Sequence, residues 1–137
     1  MMSEFIIKLP VRWGDMDAFN HVSNVVYLRY IEDCRGQWMQ SVPSHWQEAD
    51  TGPVVANINI NYRRPLYWPE TVEVTLVPEP PGRSSIKLMH EIRSAAPVEN
   101  GEKTVYAEGS STLVWIDKKT GQAVPLPSVI RELGAEG

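Results

Sequence analysis

The chain has 137 residues, 42% of them hydrophobic and 22% charged, with a formal net charge of −4 at pH 7; this suits one globular domain over residues 1–137. The acidic balance speaks against a nucleic-acid-binding face, and no apolar run approaches the ~20 residues that a membrane-spanning helix needs. The start, Met-Met-Ser-Glu-Phe-Ile-Ile-Lys, lacks the basic and long apolar regions of a secretory signal, and a lone cysteine, Cys34, forbids an internal disulfide, so a cytoplasmic location is the expectation.

Residues 5–12 read as a first strand, with Pro10 placing it at a sheet edge or at a bulge. Residues 13–23 are polar and irregular and read as a loop. From 24 to 41 the period becomes helical: Tyr27, Ile31, Cys34 and Trp38 fall on one stripe. Ser23 or Asn24 suits the N-cap, and Pro43 ends the helix. The period then changes to two. In 56–62, Ala56, Ile58, Ile60 and Tyr62 alternate with Asn57, Asn59 and Asn61, a half-buried strand with one wet face. Residues 70–77 alternate likewise. Pro78, Pro80, Pro81 and Gly82 break the chain before a strand over 84–93. Asn100-Gly101 signals a turn, and 103–116 read as a long strand closed by the turn 117–122. A short helix near 128–133 follows, with Ser128 as its cap and Gly134 past its end. One long helix and a five-stranded antiparallel sheet make an α+β domain. A single helix is too narrow to cover such a sheet, so a second copy is expected to bury the remainder, most simply across a two-fold axis.

The chemistry concentrates in Trp13-Gly14-Asp15-Met16-Asp17-Ala18-Phe19-Asn20-His21-Val22-Ser23-Asn24. Two carboxylates stand two residues apart in a loop that runs into a helix. A helix N-terminus presents unpaired amides and partial positive charge, which can hold an oxyanion. A carboxylate just before it can serve as general base or nucleophile. An Asp before a helix is equally at home as a cap or turn former, so spacing alone leaves both roles open. His21, His45 and His90 are too scattered for a metal site, no third ligand joins the Asp-x-Asp pair, and Cys34 on the apolar stripe reads as a core residue. No metal is expected.

Residues 11–30, VRWGDMDAFNHVSNVVYLRY, closely resemble the opening of the hotdog-fold acyl-CoA thioesterases of the 4-hydroxybenzoyl-CoA thioesterase-like group. That family typically reads R-[WYF]-x-D-x-D-x-x-G-H-V-N-N-x-x-Y. Tyr62-Arg63-Arg64-Pro65-Leu66, Gly82-Arg83-Ser84-Ser85-Ile86, the run AEGSSTLVWID over 107–117 and Pro125-Leu126-Pro127 resemble later family segments. The resemblance implies a hotdog fold, with the antiparallel five-stranded sheet wrapped around one long central helix. It also implies hydrolysis of an acyl-CoA thioester to free acid and coenzyme A. Asp17 would be the catalytic carboxylate and the amide near Asn24 the oxyanion hole, with Asp15 shaping the loop. His21 would be a second acid–base group or a positioning residue. Coenzyme A carries phosphates that Arg forks suit. Arg63, Arg64 and Arg83, with Ser84 and Ser85, are the candidates to hold it, as part of the substrate and not as a cofactor. Tyr27, Tyr30, Trp38 and Trp46 are either core or acyl-pocket residues.

The sequence departs from the family pattern at Asn20, where Gly is usual, and at Ser23, where Asn is usual. Asn tolerates positive φ better than most residues. Three rivals stand beside hydrolysis. A hydratase or dehydratase on the same fold would centre on a His base. A non-catalytic acyl-thioester-binding protein is the second, and an acyl-carrier-protein substrate, which would need a basic docking face, is the third. Acyl length, and dimer against tetramer, are not readable here.

Overall fold

The computed structural model describes residues 4–42, 50–97 and 101–135. Its elements are β1 (Phe5–Pro10), α1 (Asn24–Ser41), β2 (Thr51–Tyr62), β3 (Thr71–Pro78), β4 (Ser85–Ser94), β5 (Val105–Asp117) and α2 (Ser128–Ala135). The strands form one sheet in the order β1-β3-β4-β5-β2, and every neighbouring pair is antiparallel. Pro10 closes β1 on an edge of the sheet, where a missing amide costs nothing.

Alternation sets the inner face. Val72, Val74 and Leu76 of β3, Ile86, Leu88 and Ile92 of β4, and Ala107, Leu113 and Trp115 of β5 are all buried. Against them α1 lays the expected stripe, with Tyr27, Ile31, Cys34 and Trp38 each 4% exposed or less. Each such aliphatic side chain removed from water contributes ~1.5–3 kcal/mol. The helix packs on β3, β1 and β4, and the Cys34 thiol donates to the Val74 carbonyl at 3.5 Å. Cys34 is therefore a core residue, its thiol pushed up to about 12 by burial.

Several boundaries and faces differ from expectation. The strand expected at 56–62 begins at Thr51 and lies at the other edge of the sheet. It is not half-buried: every residue from Val54 to Asn59 is exposed, because α1 packs over β3, β1 and β4 instead. β3 departs in the opposite direction. Its polar residues Glu73 and Thr75 are buried as well as its apolar ones. Glu73 is held by the Lys103 ammonium at 2.7 Å and the Arg93 guanidinium at 2.9 Å, and these hold its carboxyl below the usual range. Ser23 occupies the N-cap of α1 but makes no side-chain cap bond, and Asn24 is the first helical residue. Ser128 is the first residue of α2 and not its cap, and the Ile130 and Arg131 amides donate to the Pro127 carbonyl. Gly134 lies inside α2, not past it, where a Cβ would stand 2.7 Å from the Glu79 carbonyl oxygen. Gly109 marks a second close approach, since a Cβ there would run into the Asn59 carbonyl as β2 bends against β5. Pro43, His45, Trp46 and Asn100 lie outside the described residues.

Candidate active site

The segment between β1 and α1 is more ordered than a plain loop. Residues Trp13–Asp15 make one 3-10 turn, and Met16 bridges to Val22. Between them the chain turns tightly: the Asp17 amide donates to the His21 carbonyl and the Asn20 amide to the Asp17 carbonyl, each at 3.0 Å. Asn20 sits at φ 67°, the left-handed region that the family's usual Gly would reach freely and that Asn accepts at small cost. The hairpin is fastened to the body of the protein by the Val22 amide on the Leu66 carbonyl, 2.7 Å.

Asp17 has one carboxylate oxygen committed, accepting from the Phe19 amide at 2.9 Å. Its other oxygen has no partner among the described residues. The side chain lines a concavity of about 490 Å³ with Trp13, Gly14, Met16, Asn20 and Trp68. Trp13 and Phe19 are 75% and 81% exposed, unusually open for aromatic side chains. On the other side of the hairpin, His21, Val22, Asn24, Tyr27, Tyr62, Arg63, Arg64 and Pro65 line a second concavity of about 300 Å³. Asp17 and Asn24 therefore line adjoining concavities of one chain, not a common one.

The second concavity is built on aromatic rings. Tyr27 and Tyr62 pack edge to face at 5.1 Å. The Tyr62 hydroxyl donates to the Asn24 carbonyl at 3.0 Å and the Tyr27 hydroxyl to the Arg64 carbonyl at 3.3 Å. His21 Nδ1 lies 3.3 Å from the Val22 carbonyl. A carbonyl can only accept, so Nδ1 is the donor in that contact. The Phe19 ring stacks on His21 at 6.2 Å, with Tyr67 edge-on at 6.4 Å. The aromatic share of the site that the motifs leave out is Tyr67 and Trp68, whereas Trp13 and Tyr62 lie within them. Its signal is the pair Tyr67-Trp68, two large rings in a connector just before Pro69 with no alternation to bury them.

The proposed phosphate-binding residues divide. Arg63 is engaged with Glu108 at 2.9 Å on the surface, whereas Arg64 has no ion pair among the described residues. Arg83, Ser84 and Ser85 are not brought to this site within the chain. Ser85 pairs with Val114, whereas Ala107 pairs with Tyr62 beside Asn24. Those two β5 positions lie about 23 Å apart at ~3.3 Å per residue. The Arg83 guanidinium donates to Ser84 Oγ at 3.3 Å. A larger concavity, about 570 Å³, lies along Asn57, Asn59, Asn61, Glu91 and Glu108 and contains none of Asp17, His21 or Asn24. Among the described residues, no cluster of three His, Cys, Asp or Glu side chains is placed to hold a metal, and no helix is long and apolar enough to cross a membrane.

A five-stranded antiparallel sheet with α1 against one face, entered through the Asp-x-Asp loop, is the hotdog fold of acyl-CoA thioesterases. The thioesterase-like superfamily profile matches residues 11–133, and the chain belongs to that superfamily. It is 33% identical over 128 residues to the long-chain acyl-CoA thioesterase FadM of Escherichia coli strain K12, covering 91% of this chain and 92% of the relative. Among solved structures it is similar to the PA2801 protein, a putative thioesterase from Pseudomonas aeruginosa. That match has a TM-score of 0.82 and 34% identity, over 93% of this chain and 95% of the other. A thioesterase from Thermus thermophilus, solved in complex with coenzyme A and Zn, is similar at TM-score 0.77 and 33% identity, over 96% and 91% of the two chains.

Proposed function

We propose that this chain hydrolyses acyl-CoA thioesters, with Asp17 as the catalytic carboxylate and the Asn24 amide as the oxyanion donor. One observation carries the reading. The Asp17 carboxylate is anchored through one oxygen, open at the other, and faces an aromatic concavity seven residues before the first amide of α1. As base, Asp17 takes a proton from water while the oxygen of that water bonds to the thioester carbon. The carbonyl oxygen becomes an oxyanion beside the Asn24 amide, which has no intrahelical acceptor. Collapse breaks the C–S bond, and the departing thiolate takes the proton. Attack by Asp17 itself, through an anhydride that water then cleaves, uses the same groups. His21 sets the loop from the other side of the hairpin. The names of the relatives support the substrate class.

The working unit is a two-fold oligomer, a dimer at least. β2 is an unpaired edge exposed on both faces, with Val55, Ile58 and Tyr62 at 43–45% exposure. Antiparallel pairing of β2 with its copy carries the far end of the second sheet to the Tyr62 end of the first. Residues 83–85 of the second copy then approach the Arg64 side of this site, where phosphates need them.

Two measurements on a panel of short, long and aromatic acyl-CoAs test the reading: free-thiol release by the wild type, and by Asn24→Pro. Proline is favoured at the first helical position, and Ser23 already has the extended ψ of 141° that a following proline requires. The variant is expected to keep the helix while losing the amide proton together with the Asn24 carboxamide, and Asn24→Ala, which keeps the amide, separates the two losses. The expected result is turnover of at least one acyl-CoA by the wild type and a kcat lower by ~10²–10³ in the variant. Unchanged turnover in Asn24→Pro contradicts the oxyanion assignment.

A further inference from the structure

Tyr30 is buried at 6% exposure and lines neither concavity of the site. Its hydroxyl donates to Asp15 Oδ2 at 2.6 Å. The same carboxylate oxygen accepts from the Arg12 amide at 2.9 Å. The Asp15 carbonyl accepts from the Ser23 amide at 3.0 Å, and the Asp15 amide donates to the Arg12 carbonyl at 2.9 Å. Asp15 is thus the node at which the exit of β1, the N-cap of α1 and the second turn of α1 are tied together. Asp17 is the second residue beyond that node, on the hairpin that the node supports.

We propose that Tyr30 is a positioning residue for Asp17, acting through the Asp15 carboxylate. This rests on the catalytic reading of Asp17 and adds a residue to it. The helix is the rigid body of the site, because α1 carries both the Asn24 amide and Tyr30. The hairpin is the part whose placement needs fixing, since its turn beyond Asp17 carries the exposed Ala18, Phe19 and Asn20. The Tyr30–Asp15 bond is the side-chain link between the two, so it sets where the Asp17 oxygen stands relative to the oxyanion donor. Burial and the adjacent Asp15 carboxylate both hold the phenol in its protonated form, so the donor is present throughout the working pH range. The Arg12 amide alone leaves the carboxylate tied to the strand exit but not to the helix.

The test compares Tyr30→Phe, Asp15→Asn, Asp15→Ala and Asp17→Asn with the wild type on an acyl-CoA that the wild type turns over. Folding is followed by circular dichroism and kcat and KM are measured separately. The expected result for Tyr30→Phe is a folded protein whose kcat is lower by about 10–100-fold, the scale of an ångström of misplacement, with KM near the wild-type value. Asp15→Asn keeps an acceptor oxygen and is expected to retain more activity than Asp15→Ala. The loss in Tyr30→Phe/Asp15→Ala is expected to fall short of the sum of the two single losses, because both break one bond. If Tyr30→Phe does not fold, the Asp15 pair decides alone. Wild-type kcat in Tyr30→Phe, a loss confined to KM, or equal activity in Asp15→Asn and Asp15→Ala overturns the proposal. An active wild type with inert Asp17→Asn and unaffected Tyr30→Phe overturns this inference alone. An inactive wild type overturns the catalytic reading with it.

Discussion

His90 falls on the same face of β4 as the buried Ile86, Leu88 and Ile92, and its polar ring gives no sign of burial. In the fold it is 3% exposed, with Nδ1 donating to the Thr75 carbonyl at 3.0 Å and Nε2 accepting from the Ser111 hydroxyl at 2.8 Å. Burial pushes its pKa from 6.5 down to about 4; the Thr75 bond opposes this, and the Arg35 guanidinium adds to the depression. The folded value lies below the unfolded one. Between about pH 6.5 and about pH 4 the unfolded chain therefore takes up a proton that the folded chain refuses, and stability falls as pH falls through that window. The loss approaches about 3 kcal/mol at ~1.4 kcal/mol per unit. His90→Gln keeps a donor and an acceptor without the titration, so its unfolding midpoint against pH is expected to be flatter over that window. An unchanged slope contradicts the assignment. Asn20 is the opposite case: its identity announces the left-handed backbone found at φ 67°. Asp17 is legible through a motif. The bond from Tyr30 to Asp15 is not, because it joins residues fifteen apart that only the turn of α1 brings together.

At the scale of elements, α1 is the most legible. Its helical stripe, its start at Asn24 and its end at Ser41 agree with the 3.6-residue period. The strands are legible in number and order, because each alternates and each is bounded by Pro, Gly or a polar turn. Which faces are buried is less so, because alternation reports chemistry and not cover. Glu73 and Thr75 are polar and yet buried, whereas Ile58 is apolar and yet 43% exposed. The reason is strand order: β3 lies between β1 and β4 under the helix, and β2 lies at the open edge. An exposed apolar edge is a site of self-pairing unless a charge blocks it. Ile58→Lys places a charge at the middle of β2 on a side chain that is 43% exposed in the single chain. It is expected to lower the oligomeric mass in light scattering and to reduce turnover at low protein concentration. Wild-type mass and turnover in that variant would rule out pairing through β2.

For the whole molecule, one long helix and five antiparallel strands give an α+β domain and the resemblance gives the hotdog architecture, but the sheet order β1-β3-β4-β5-β2 is read from neither. That order separates the segments that resemblance groups into one site. It leaves Asp17, His21, Asn24 and Arg64 at one end and residues 83–85 about seven strand residues away along β5. A second copy resolves the separation if the two β2 edges pair. The proposed chemistry of the site is cleavage of an acyl thioester driven by Asp17. The direct measurement is free-thiol release from an acyl-CoA by the wild type and by Asp17→Asn at equal concentration, with binding of the same acyl-CoA followed by calorimetry. The expected result is a folded variant that binds the thioester as the wild type does and turns it over ~10²–10⁴-fold more slowly. Equal turnover by the two proteins would contradict it.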